Sequence, residues 1–187
     1  MLQRVEEARC WLDGGGDRAA GSLGSGPYTG RIRHTRDEVV GRTIAEFARL
    51  DALLAVLRAD AFAWPVPRPE TKDPWTVQDA LAHITHWKAD VARQARGLRR
   101  PPDERGLGTQ AANHLVYLRW KDRPPEEVLA WHRQVQAEVL AALRAAPDAW
   151  FGDRDRRADW PADLDGHSAW HRARDIERAV TAERARR

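Results

Sequence analysis

The chain of 187 residues and 21.2 kDa holds about one domain's worth of residues, enough to bury roughly two-thirds of the surface it exposes when unfolded. Charged residues make up 32% and hydrophobic ones 42%, and the longest uncharged apolar stretch falls far short of the ~20 residues of a transmembrane helix, which excludes a membrane span. The formal charge of +3 arises from 31 basic and 28 acidic residues. Basic residues gather at Arg93, Arg96, Arg99 and Arg100 and again at Arg184, Arg186 and Arg187. Acids interleave elsewhere and no helix-turn-helix, finger or RNA-binding signature accompanies them, so a solvated face is expected there rather than a nucleic-acid partner.

Glu6 and Glu7 stand where a signal peptide would carry its apolar segment, so a cytoplasmic location is expected. Cys10 is the single cysteine, which excludes an internal disulfide and any thiolate cluster. A metal site would have to draw on the seven histidines and the carboxylates.

Residues 1–35 contain Gly14-Gly15-Gly16 and a second Gly/Ser run from Gly21 to Pro27. Such a composition buries too little apolar surface to offset the entropy of ordering, and predicts a flexible tail preceding a bundle over 36–184. Deleting residues 1–33 is accordingly expected to leave the melting temperature nearly unchanged. From Thr35 the pattern becomes helical, with Val40, Ile44, Phe47, Leu50, Leu54 and Leu57 on one face, and it ends before Pro65.

The segment Asp73-Pro74-Trp75-Thr76-Val77-Gln78-Asp79 opens a second helix, where Thr76 and Asp79 are spaced as a capping box. Its apolar face is Val77, Leu81, Ile84, Trp87 and Val91. A Pro/Gly loop over 101–110 leads to a short helical piece carrying Asn113, His114, Val116, Tyr117 and Trp120. Pro124-Pro125-Glu126-Glu127 starts a third long helix with the stripe Val128, Trp131, Val135, Val139, Ala142 and Leu143, stopping before Pro147. Residues 148–163 read as a loop, and the last helix as about Leu164 to Ala182. Nothing alternates with period two, so the fold class is all-α, an antiparallel four-helix bundle.

Two features bear on chemistry. His167 and His171 are spaced i, i+4, which puts both imidazoles on one side of a helix, as two ligands of a divalent ion require, although such pairs also occur by chance. His83 lies one turn before Trp87 beside the Leu81/Ile84 stripe, where a histidine is as a rule a hydrogen-bonded core residue. A bundle can nonetheless bring it opposite the pair, because facing helices are how such cores build metal sites. His86 is an alternative ligand, but it turns toward Asp79, Ala82 and Asp90, a more polar face. Asp175, four residues after His171, either orients that ring by a hydrogen bond or is an exposed helix acid. His114 and His132 read as packing or surface residues. Trp87, Trp131, Trp150, Trp160 and Trp170 are core by default, yet nine tryptophans against three phenylalanines would also line a pocket for a flat or apolar ligand.

The string Trp75-Thr76-Val77-Gln78-Asp79-Ala80-Leu81-Ala82-His83-Ile84, followed by Trp87, resembles the second-helix opening of the DinB-like superfamily of four-helix bundles. His167-x-x-x-His171 is similar to the other half of that superfamily's metal triad. Asp122-Arg123-Pro124-Pro125-Glu126-Glu127-Val128-Leu129 is similar to the ClbS/DfsB branch. The resemblance implies zinc or nickel on His83, His167 and His171, with Asp79, His86, Trp87, Trp170 and Asp175 near the site. It implies an enzyme that activates water or a low-molecular-weight thiol such as mycothiol against an electrophilic small molecule. The alternative that the branch implies is a self-resistance protein that binds or hydrolyses a reactive, cyclopropane-type natural product without needing metal. A homodimer is compatible with either reading.

Overall fold

A computed structural model describes residues 35–66, 72–152 and 168–185. Among these the α-helices are α1 (Arg36–Ala55), α2 (Val77–Ala95), α3 (Thr109–Trp120), α4 (Pro125–Ala145), α5 (Asp148–Gly152) and α6 (Ser168–Ala185), with no strand. The four long helices α1, α4, α2 and α6 follow one another around a bundle, and α3 docks on α2. The all-α bundle predicted from periodicity is thus the fold. No described helix is long and apolar enough to cross a membrane.

Local chemistry starts the helices where the sequence says it should. Glu38 N–H donates to Thr35 Oγ1 at 3.2 Å while Thr35 N–H donates to Glu38 Oε2 at 2.7 Å, a reciprocal capping box that satisfies two donors at the head of α1. Pro125 occupies the first turn of α4, where its missing N–H costs nothing, and Glu126 and Glu127 face the positive end of the helix dipole.

Three expectations are corrected. The buried stripe of α1 is Val39, Thr43, Phe47, Leu50 and Leu54, whereas Ile44 is 44% exposed and Val40 half-buried. Thr43 Oγ1 donates to the Val39 carbonyl at 2.7 Å, so a polar residue is accommodated on the inner face and the stripe begins one residue earlier than hydrophobicity alone indicates. Helix α1 ends at Ala55, before Pro65 as expected, so Leu57 lies beyond the helical face assigned to it, and a 3-10 turn over Ala59–Ala63 sets Ala61 and Phe62 in the core. Within the expected loop after Pro147, residues Asp148–Gly152 form α5, whose Trp150 and Phe151 pack into the core, ring centroids 5.0 Å apart. The remainder of that loop, including Trp160, lies outside the described residues.

Helix α2 is the axis of the molecule. It meets α4, α6, α3 and the 59–63 turn, and fifteen of its 19 residues are buried. Leu81 and Ile84 join Leu50, Phe62, Val116, Val128 and Ile176 in one part of the core. Trp87 and Val91 join Phe47, Val135, Val139 and Leu143 in the other.

Candidate functional site

The N-terminal half of α2 carries the candidate site, and a short clamp sets its position. Val66 N–H donates to the Trp75 carbonyl at 2.9 Å and Val77 N–H to the Trp64 carbonyl at 3.0 Å, around an isolated antiparallel bridge between Pro65 and Thr76. Gln78 then ties α2 to the turn between α3 and α4 by donating to the carbonyls of Trp120 and Arg123 at 3.0 and 2.6 Å. The helix start is therefore held from two sides.

The Thr76 capping box forms with Asp79 as its acidic member. Thr76 N–H and Oγ1–H donate to Asp79 Oδ2 at 2.8 and 2.7 Å, and Asp79 N–H reaches back to Thr76 Oγ1 at 3.4 Å. Asp79 is 4% exposed, and its second oxygen, Oδ1, is buried with no hydrogen-bond partner among the described residues. Burial raises its pKa above the ordinary carboxylate value; the Thr76 hydrogen bonds pull the other way, and the nearby charges of Asp73 and Asp122 push it up again. Burial, with the Asp79 charge next, also raises the Tyr117 phenol.

One turn on, His83 is 1% exposed. Its ring lies between two indoles, with centroids 5.0 Å from Trp75 and 6.2 Å from Trp87. Trp87 in turn donates its indole N–H to Asn113 Oδ1 at 3.1 Å, which fixes that wall of the enclosure against α3. A buried carboxyl with an open lone pair therefore lies one helical turn from a buried imidazole that is set between two indoles.

Of the sequence-predicted site residues, Asp79, His83 and Trp87 come together in this way. His171 and Trp170 belong to α6, which packs on α2, but their side chains lie outside the described residues, as does His167. Among the described residues no group of three His, Cys, Asp or Glu is arranged to hold a metal ion. Asp175 is not an exposed helix acid: it is 4% exposed, with Arg178 Nη1 3.7 Å from its Oδ1.

His86 needs the largest correction. It is buried rather than set on a polar face, because α3 and the segment leading to it cover that side of α2. Its Nε2 stands 3.7 Å from Glu104 Oε2, and its ring meets Trp87 edge-on at 5.3 Å. Burial lowers the His86 pKa to about 4, the charge of Glu104 opposing that shift and Arg93 reinforcing it.

Sequence reading missed the network around it. Glu104, itself 3% exposed, receives Arg119 Nη1 at 2.7 Å and lies 3.5 Å from Arg93 Nη2. Asp90 receives Arg93 and Arg100 at 3.0 and 3.1 Å and Gln94 at 3.0 Å. Burial pushes Asp90 up, but its arginine partners outweigh it and hold the carboxyl below its usual range. The sequence signal was the arginine run, expected to form a solvated face; Arg93 and Arg100 instead pair with the buried Asp90.

No curated protein sequence matches the chain. Among solved structures it is similar to an uncharacterised protein from Escherichia coli UTI89, at 15% identity and a TM-score of 0.61 over 80% of this chain and 95% of that one. It is likewise similar to the colibactin self-resistance protein ClbS, solved in complex with a double-stranded DNA, at 13% identity and a TM-score of 0.59 over 82% of this chain and 98% of ClbS. Identities this low establish a shared fold. The DinB superfamily model matches residues 42–183, and the chain belongs to that superfamily.

Proposed function

We propose that the chain is a ClbS-like protective protein that takes a reactive, electrophilic small molecule of the cyclopropane type at the head of α2 and binds or hydrolyses it there without needing a metal. The observation that carries this reading is Asp79 Oδ1, a buried carboxyl oxygen without a hydrogen bond among the described residues, one turn from His83, whose ring lies between two indoles that suit an apolar ligand. A carboxylate whose pKa is raised by burial is a better base than an exposed one. In the hydrolytic form, the oxygen of a water bonds to one ring carbon as a ring carbon–carbon bond breaks. Asp79 takes the proton that the water loses, and the other ring carbon gains one, so the net change is addition of water. His83 and the indoles orient and enclose the ligand.

A small molecule is preferred to nucleic acid because three of the four arginines of the 93–100 run are engaged within the protein. Arg93 and Arg100 pair with Asp90, and Arg96 donates to the Glu138 carbonyl at 3.2 Å. The test is incubation with a cyclopropane-bearing electrophile, with mass spectrometry for the hydrated product and tryptophan fluorescence for binding. Activity or binding is expected to survive chelation, and Asp79→Asn is expected to lower any turnover by about 10²–10⁴-fold. Unaltered turnover in Asp79→Asn overturns the role given to Asp79.

A second reading keeps the divalent ion. His83 is on α2, α2 packs on α6, and His171 is a residue of α6, which supports zinc or nickel held by His83, His167 and His171. Such an ion would polarise a bound oxygen or a low-molecular-weight thiol. Protein purified without an affinity tag would then contain close to one divalent ion per chain, the triple alanine variant none, and chelation would abolish activity.

A further inference from the structure

A cleft opens where the end of α1 and the 59–63 turn meet the start of α4. It has a volume of about 470 Å³ and an apolar wall of Leu54, Leu57, Phe62 and Leu129. That size is within the range of small-molecule sites. Its polar end is built, not incidental. His132, 3% exposed, places Nε2 3.1 Å from Asp51 Oδ1 and Nδ1 3.4 Å from Thr85 Oγ1. The Thr85 hydroxyl proton is committed to the Leu81 carbonyl at 2.8 Å, and Gln136 Nε2 donates to Asp51 Oδ1 at 3.0 Å. These contacts hold the half-exposed Asp51 in place by one oxygen. Its other oxygen, Oδ2, takes no hydrogen bond among the described residues and is left for a ligand.

From this geometry we infer that the cleft binds a small primary ammonium with an apolar substituent, the ammonium on Asp51 Oδ2 and the substituent on the leucine and phenylalanine wall. The charges agree. Asp51 and Glu126 stand against Arg133 alone among the charged residues of the lining, so the cleft is acidic on balance. Burial lowers the pKa of His132, and its bond to Asp51 opposes that shift. A charge-assisted hydrogen bond to a fixed carboxylate, beside apolar contact, is what such an amphiphile recognises. None of these residues belongs to the Asp79/His83 site, so this inference does not depend on the proposed function.

The test is titration of the full chain with hexylammonium chloride, 1-hexanol and sodium hexanoate, read by calorimetry and by the imidazole nitrogen resonances of His132. Hexylammonium is expected to bind saturably, at least about tenfold tighter than the alcohol or the acid, and to shift the His132 signal. Asp51→Asn should lower its affinity by about tenfold. Ala55→Trp, at an exposed position of the lining where the fold tolerates substitution, should block the cleft to amine and alcohol alike. Equal affinity for hexylammonium and hexanol, absence of saturable binding, or unchanged affinity in either variant overturns the proposal.

Discussion

His83 and His86 are three residues apart on the same helix, both buried, yet they stand in opposite kinds of surroundings. Around His86 every carboxylate is answered: Glu104 by Arg119 and Arg93, Asp90 by Arg93, Arg100 and Gln94. Around His83 two indoles stand among the described residues, and the nearest carboxylate on the helix, Asp79, has an oxygen that no described residue answers. Trp87 is the partition, touching both rings and held by Asn113. A saturated ionic network is architecture, because buried charge is tolerated only when its partners are complete. An incomplete polar set in an apolar surround is where a ligand has something to bind.

The sharpest break in that comparison is Glu104→Ala. Removing the carboxylate takes one buried partner from Arg119 and from Arg93, which keep Asp103 and Asp90, and frees the 102–104 turn from α2, at an expected cost of about 3 kcal/mol in urea unfolding. Ligand binding at Asp79/His83, measured at a denaturant-free temperature where the variant is folded, should be unchanged. A cost below about 1 kcal/mol would show the network to be ornamental.

Acid should expose the same side of α2. The folded pKa of His86 is about 4 against an ordinary 6.5, so between these values the unfolded chain binds the proton and the folded one does not. Stability therefore falls as pH drops from about 6.5 to about 4, by up to about 3 kcal/mol from this residue, and His132, also shifted down by burial, adds in the same direction. His86→Leu should flatten that acid limb. An unchanged slope would place the titrating group elsewhere.

The smallest effect separates structure from site most cleanly. Thr35→Ala and Thr76→Ala each remove a capping hydroxyl and should each cost about 1 kcal/mol. Only Thr76→Ala removes one of the two hydrogen bonds on Asp79 Oδ2, the backbone N–H of residue 76 keeping the other, so only that variant should alter turnover or its pH profile. Equal kinetic effects from both would reduce Thr76 to a plain helix cap.

Features that depend on neighbours along the chain were legible in the residues themselves. The Thr76/Asp79 capping box, the proline-led start of α4, the long helices and the Trp75-to-His83 string that marks the superfamily follow from spacings of three and four, which local sterics and hydrogen bonding enforce. The face of α1 was misassigned because a threonine hydroxyl bonded to its own helix buries as readily as an isoleucine. Burial of His86 and Asp175, the arginines that answer Glu104, and the pairing of Asp51 with His132 from the facing helix α4 were decided by tertiary structure alone. Each depends on which element covers a given side of a helix. One-dimensional periodicity identifies an apolar stripe, but it carries no record of a second helix that arrives over the polar side and brings the countercharges with it.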